Sequence, residues 1–154
     1  MKHKSGFTLI EILVVISILA GFVTMLVPNF MAARVKARDS KRKSDLKQIQ
    51  KALELYRQDQ TPPVYPATNT FLTACTSWKS ADLTITYMNT VPGDPMTSCP
   101  GQTSYFYARD PSDTMKYGLY ACLEDKADPE RSNCPTSGYT CATGQTFCYK
   151  LTEP

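Results

Sequence analysis

The chain of 154 residues contains one histidine, His3, one tryptophan, Trp78, and seven glycines. A single His four residues ahead of a long apolar run leaves no material for a His-based general base, triad or metal cluster, and no catalytic residue is assigned. None of the six cysteines (Cys75, Cys99, Cys122, Cys134, Cys141 and Cys148) forms a Cys-x-x-Cys pair. Zinc ribbons and thioredoxin-like sites need such spacing, so disulfides are favoured over metal ligation and over free buried thiols. No metal and no cofactor is expected. Charge is almost missing between Phe7 and Val27, where 16 of 21 residues are apolar and Glu11 alone is charged.

What charge there is falls in zones. Residues 1–6 carry +2, residues 7–27 carry −1, residues 28–59 carry +5 and residues 60–154 carry −3. A uniform globule does not distribute charge in this way.

The stretch Phe7 to Val27 spans a bilayer as a helix, rising about 32 Å against a hydrocarbon core of about 30 Å. A secretory signal has a shorter apolar region and a small-residue cleavage site, and a buried core helix does not run on into a basic helix. Glu11 is then the anomaly, because an ionisable group in a membrane helix costs on the order of 2.5–3.5 kcal/mol by insertion scales. No Lys, Arg or His within the run pairs with it. Its partner is a ligand, another chain or a new amino terminus, unless the side chain snorkels to the membrane edge.

Lys2-His3-Lys4-Ser5-Gly6-Phe7-Thr8-Leu9-Ile10-Glu11 resembles the N-terminal signature of type IV pilins and of type II secretion pseudopilins, and the first fifty or so residues carry the likeness. The resemblance implies cleavage by a prepilin peptidase between Gly6 and Phe7, N-methylation of Phe7, and pairing of Glu11 with the Phe7 amine of a neighbouring subunit in a filament core. That cut releases an α-amino cation, of reference pKa about 7.7–8.0, near Glu11. In low dielectric the pair sets register, because a misplaced subunit leaves a charge buried alone.

Gly21 and Pro28 are the helix-weakening residues of the segment and predict a kink near Pro28. The resemblance offers a second reading, in which the stretch from Gly21 to Pro28 loses helical order on assembly. From Asn29 to Asp59 there is no Gly or Pro, and Leu46, Ile49, Leu53 and Tyr56 make one apolar stripe. A helical stem ending in a globular head is the expected shape. Arg38 to Asp45 contains no apolar residue, and with Arg34, Lys36, Lys47 and Lys51 it makes a basic collar. Anionic lipid, acidic patches on neighbouring heads and nucleic acid compete as its partners, with the collar otherwise a solvated helix face. Nucleic acid is disfavoured, since no aromatic residue interleaves with the run.

Composition changes after Gln60: residues 60–154 hold ten of the eleven prolines, eight of the nine tyrosines and every cysteine. Ser104 to Arg109, Lys116 to Leu123 and Thr146 to Leu151 predict strands of a small antiparallel sheet. Phe71 to Lys79 predicts a short helix carrying Trp78, and Leu83 to Met88 is strand or helical turn. Leu83 to Pro95, ending in Pro92-Gly93-Asp94-Pro95, resembles a recurrent pseudopilin segment. Asp110, Asp113, Asp125 and Asp128 lie in turns without forming the calcium loop of some pseudopilin heads. The expected disulfides are Cys75 with Cys99, Cys122 with Cys148, and Cys134 with Cys141.

The sequence therefore predicts an α+β, pilin-like protein: leader 1–6, transmembrane or filament-core helix 7–28, amphipathic stem 29–59 and a disulfide-containing β-rich head 60–154. It predicts a non-enzymatic subunit that polymerises as a helical homo-oligomer, with the prepilin peptidase, the inner-membrane assembly machinery and the membrane as partners. The resemblance implies a single-pass inner-membrane precursor. The first reading is a type IV pilus filament outside the cell, serving adhesion, motility or DNA uptake, and the alternative is a periplasmic pseudopilus of a type II secretion system. A third reading, of another class, is a membrane-anchored binding protein that never polymerises.

Overall fold

A computed structural model describes residues 6–68, 70–71, 73–96, 105–135, 138–141 and 145–154, the side chains of 26–29 excepted. It divides into two compact units, Met1–Val35 and Lys36–Pro154.

Helix α1, Leu9–Asp59, begins in the first unit and ends in the second. In the first unit the apolar side chains are exposed: Phe7, just ahead of the helix, is 85% exposed, and Leu9 and Phe22 within it are 83% and 62% exposed. Its hydroxyls bond inward, Ser17 Oγ to the Val14 carbonyl and Thr24 Oγ1 to the Gly21 carbonyl, both at 2.8 Å. The surface left outside is thus almost purely apolar. Among the described residues no single helix is long and apolar enough to cross a membrane; Leu9–Met25 and Phe30–Asp59 meet the length and composition test only together. The kink expected at Pro28 falls on a side chain outside those described.

In the second unit the expected stripe of α1 is the core. Leu46, Ile49 and Leu53 are buried, Ala52 joins them, and Tyr56 is partly buried against the same cluster. Burying an aliphatic side chain of this kind contributes about 1.5–3 kcal/mol. The helix stops at Asp59, ahead of Thr61-Pro62-Pro63, whose first peptide bond is cis.

Strands β1 (Trp78–Lys79) and β2 (Thr86–Met88) form a two-stranded antiparallel hairpin. Strands β3 (Tyr105–Arg109), β4 (Tyr117–Leu123), β5 (Arg131–Asn133) and β6 (Phe147–Thr152) form an antiparallel sheet of order β3-β4-β6-β5. Three of these strands coincide within a residue or so with those expected. The helix expected over 71–79 is absent: turns lead into β1, because Trp78 stacks on Phe71 at 4.1 Å and on Tyr56 at 5.4 Å while pairing with Met88. That aromatic packing overrides local helix propensity. Residues 86–88 resolve to strand. Strand β5 was not expected, since Arg-Ser-Asn has no apolar alternation; pairing with β6 and the adjoining Cys134 hold it in place.

Tyr117, Leu119, Ala121 and Leu123 of β4 belong to the core, whereas Gly118, Tyr120 and Cys122 alternate with them. Tyr120 therefore breaks step with the other strand tyrosines. Its ring lies so close over Gly118 that a Cβ there would meet it at 2.7 Å, which explains a glycine inside a central strand.

Candidate assembly site

The first residues of α1 form a reciprocal cap. Glu11 N–H donates to Thr8 Oγ1 at 3.3 Å, while Glu11 Oε2 accepts from Thr8 N–H and from the Thr8 hydroxyl, each at 3.0 Å. Thr8-x-x-Glu11 is thus a capping box, which satisfies donors that a helix start leaves without intrahelical partners. This signal is legible in Thr-Leu-Ile-Glu, but Thr8 is not among the partners expected for Glu11, which were a ligand, another chain or a new amino terminus. Within a single copy, the carboxylate is held by its own helix start. Gly6 and Gly21 have open space where a Cβ would stand, so packing within one copy does not demand glycine at either. Residues 1–5, which fall in the expected leader, lie outside those described.

The collar corrects its expectation more sharply. Asp39, Arg42 and Asp45 are only 2, 1 and 0% exposed, although Arg38 to Asp45 contains no apolar residue. Arg42 Nε and Nη2 clasp Asp94 at 2.6 and 3.0 Å, and its Nη1 meets Asp39 Oδ1 and Glu124 Oε1, both at 2.6 Å. Arg38 makes a second fork to Glu124, at 2.9 and 2.5 Å. Asp39 also accepts the backbone N–H groups of Glu124 and Asp125. Lys43 bridges Asp128 and Glu130 at 2.7 Å, and Asp45 takes Lys41 at 2.7 Å and the Tyr105 hydroxyl at 2.8 Å. Arg38, Arg42 and Lys43 are thus not a solvated face awaiting lipid, DNA or a neighbour's acids. They fasten α1 to the end of β4 and to the Pro-x-Asp-Pro segment of the same head, a link that only the tertiary structure supplies.

The electrostatics follow from this geometry. Desolvation opposes the Arg42 cation, but its bonds to Asp94 and Glu124 raise its pKa above the ordinary arginine value. The hydrogen bond from Arg38, helped by Arg42, lowers Glu124 from 4.5 to about 2. A carboxyl whose folded pKa is depressed contributes stability that is complete above its unfolded value and lost as pH falls through the folded one. Full-length protein in detergent with disulfides intact should therefore keep its thermal midpoint down to about pH 4.5 and lose it progressively toward pH 2, the window set by Glu124. Glu124→Gln should melt lower at neutral pH and show a shallower acid slope in near-ultraviolet circular dichroism. An unchanged slope would remove Glu124 from this account.

The four cysteines of 122–148 pair differently from expectation. The bonds are Cys122 to Cys141 and Cys134 to Cys148. Cys122 and Cys148 are register partners on β4 and β6, as their spacing suggested, but each bonds into the segment that follows β5. The two disulfides touch, with 3.5 Å between the sulfurs of Cys134 and Cys141. They hold that segment beside the sheet, where Tyr139 stacks on Phe106 at 5.2 Å. Cys75 is also disulfide-bonded; its expected partner, Cys99, lies outside the described residues. Among the described residues the only group of three metal-capable side chains is Cys122, Cys141 and Cys148, all oxidised. Asp110, Asp113 and Asp125 cap local turns, and Asp128 is taken by Lys43.

A long N-terminal helix with an uncovered apolar start, continued as the spine of a small disulfide-bonded antiparallel head, defines a pilin-like α+β protein. Residues 1–27 match the prokaryotic N-terminal methylation motif, and residues 29–132 match the family described as Type II secretion system (T2SS), protein G. The chain belongs to this protein G family. It is 42% identical over 82 residues to the type II secretion system core protein G of Klebsiella pneumoniae, covering 53% of this chain and 57% of that protein. Against the protein of the same name from Vibrio cholerae serotype O1 it is 36% identical over 74 residues, 48% of this chain and 49% of the relative. It is 42% identical over 59 residues to the type IV wide pilus major component PilA4 of Thermus thermophilus, 38% of this chain and 45% of that one. The matched stretch thus spans about half the length of these curated relatives. No solved structure matches the chain.

Proposed function

We propose that the chain is a pseudopilin of a type II secretion system, a membrane-anchored structural subunit that polymerises through its N-terminal helix into a periplasmic filament. The observation that carries this reading is the pairing of a protein G head with an N-terminal helix whose apolar surface no part of the described chain covers. An apolar surface that large requires either lipid or the same surface of other copies, and a filament precursor uses the two in succession. Cleavage between Gly6 and Phe7, methylation of Phe7 and the Glu11 contact belong to the same proposal, supported by the methylation motif over residues 1–27.

Of the two filament readings offered by the sequence, the pseudopilus is now preferred to the type IV pilus, because relatives named core protein G outnumber the pilin among the matches described. The PilA4 likeness keeps the pilus as the second reading. Deleting the gene from its host and restoring it on a plasmid separates them. For a pseudopilin, exported proteins accumulate in the periplasm of the mutant and return to the medium on complementation, with surface pili unchanged. Loss of long surface filaments with normal protein export would establish the pilin instead.

A further inference from the structure

Two exposed patches of the head have no role in the network described above. One is the tip of the β1–β2 hairpin, where Leu83 is 71% exposed and Ile85 42%. Asp82 beside them accepts the Ser80 hydroxyl at 2.5 Å, the Thr84 hydroxyl at 2.8 Å and the Thr84 N–H at 3.2 Å. The Leu83 N–H closes the turn on the Ser80 carbonyl at 3.0 Å. Leu83 holds φ 62°, the left-handed region, where Gly or Asn is at ease and a branched apolar residue is not. A leucine kept there presents an apolar side chain that the easier residues lack. Lys79 lies farther back, within β1.

The other patch is the outer side of α1. Lys47, Lys51 and Leu55 recur at successive turns of one helix line, and Leu55 is 52% exposed. Unlike Arg38, Arg42 and Lys43, these two lysines meet no carboxylate among the described residues.

We propose that the hairpin tip of one copy docks on the Lys47–Lys51–Leu55 line of the next. Asp82 faces the two lysines, and Leu83 and Ile85 cover Leu55. The complementarity is one of charge and apolar surface together, and a second copy is the occupant because this chain supplies both halves on different elements. Such a contact is heterologous: each copy offers a tip and receives one, so it propagates along a row of subunits instead of closing a pair. The inference rests on the filament reading and names a surface for it.

The test uses the full chain, produced in cells that carry the assembly machinery. Leu83→Gly relieves the backbone and removes the apolar tip. The head should melt at the same temperature or higher, while sedimentable filament falls at least tenfold. Asp82→Lys and Lys51→Asp should each weaken assembly, and the double exchange should recover at least half of the parental amount. Zero-length carbodiimide coupling of a mixture of isotopically light and heavy subunits should give mixed Asp82–Lys51 or Asp82–Lys47 peptides. Normal assembly of Leu83→Gly, failure of the exchanged pair to recover, or coupled peptides formed only within one subunit would overturn the proposal. So would a finding that Lys51→Asp assembles normally but no longer binds vesicles of anionic phospholipid, since the lysines would then serve a membrane. The parental chain in parallel tests the filament reading: if it yields no sedimentable filament although the assembly machinery is present, that reading fails, whereas parental filaments with equally abundant Leu83→Gly filaments refute the docking surface alone.

Discussion

Glu11→Gln should abolish filament assembly without disturbing either the start of α1 or the head. Gln serves the capping box as well as Glu does, so its amide oxygen still accepts the Thr8 N–H that Glu11 accepts at 3.0 Å. The one thing lost is the charge. If Glu11 pairs with the Phe7 amine of a neighbour in the filament core, removing one partner of a buried pair costs about 3–5 kcal/mol, or roughly two to four orders of magnitude in each contact's equilibrium. Thr8→Val is the converse: it loses the cap, at about 1 kcal/mol, and keeps the charge, so it should still assemble. Sheared and sedimented material, quantified by immunoblot, reads both variants, and mass spectrometry checks that each begins at N-methylated Phe7. Parental assembly of Glu11→Gln would show that Glu11 is only a helix cap. Equal loss in both variants would make helix initiation the quantity that matters.

Arg42→Ala is expected to give the largest loss of stability of any single substitution in the head. Arg42 is 1% exposed and meets Asp39, Asp94 and Glu124. Its removal strands these carboxylates among buried surroundings, at about 3–5 kcal/mol, which for a unit of this size is roughly 10–25 °C in thermal midpoint. The consequence is also directional, because the guanidinium joins three parts of the head: Asp94 in the Pro-x-Asp-Pro segment, Asp39 on α1 and Glu124 just past β4. Hydrogen exchange should rise first around 91–96 and 124–126, not in β3. Lys116→Ala, which removes a pair with Asp113 whose side chains are 60% and 42% exposed, should change the midpoint by no more than its surface position suggests, within about 1 kcal/mol. Similar melting of the two variants would mean that the buried cluster contributes nothing beyond a surface pair.

Much of this was legible in the order of the residues. The long apolar run, the stripe Leu46, Ile49 and Leu53, the break at Thr61-Pro62-Pro63 and three strands of the sheet all depend on local periodicity or on proline chemistry. Both carry over from sequence to structure with few intermediaries. The capping box was equally local, and Thr8 three residues before Glu11 was sufficient to find it.

What the order of residues left open depends on contacts between distant segments. Arg38 to Asp45 has the composition of a solvated face, and only the arrival of Asp94, Glu124 and Asp128 from more than fifty positions away turns it into a buried network. Trp78 belongs to a strand because Phe71, Tyr56 and Tyr87 surround it. Cys122 and Cys148 face each other across β4 and β6 and still bond elsewhere, since a disulfide answers to the directions of Cβ atoms and not to register alone. The sequence by itself determined that this protein has an apolar helix start with one carboxylate, a stem with one apolar stripe and a cysteine-bearing head, because each is written in neighbouring residues. The tertiary structure decided which charges are buried, which sulfurs are joined and which lysines stay exposed without a carboxylate among the described residues, because those depend on where the chain returns to itself.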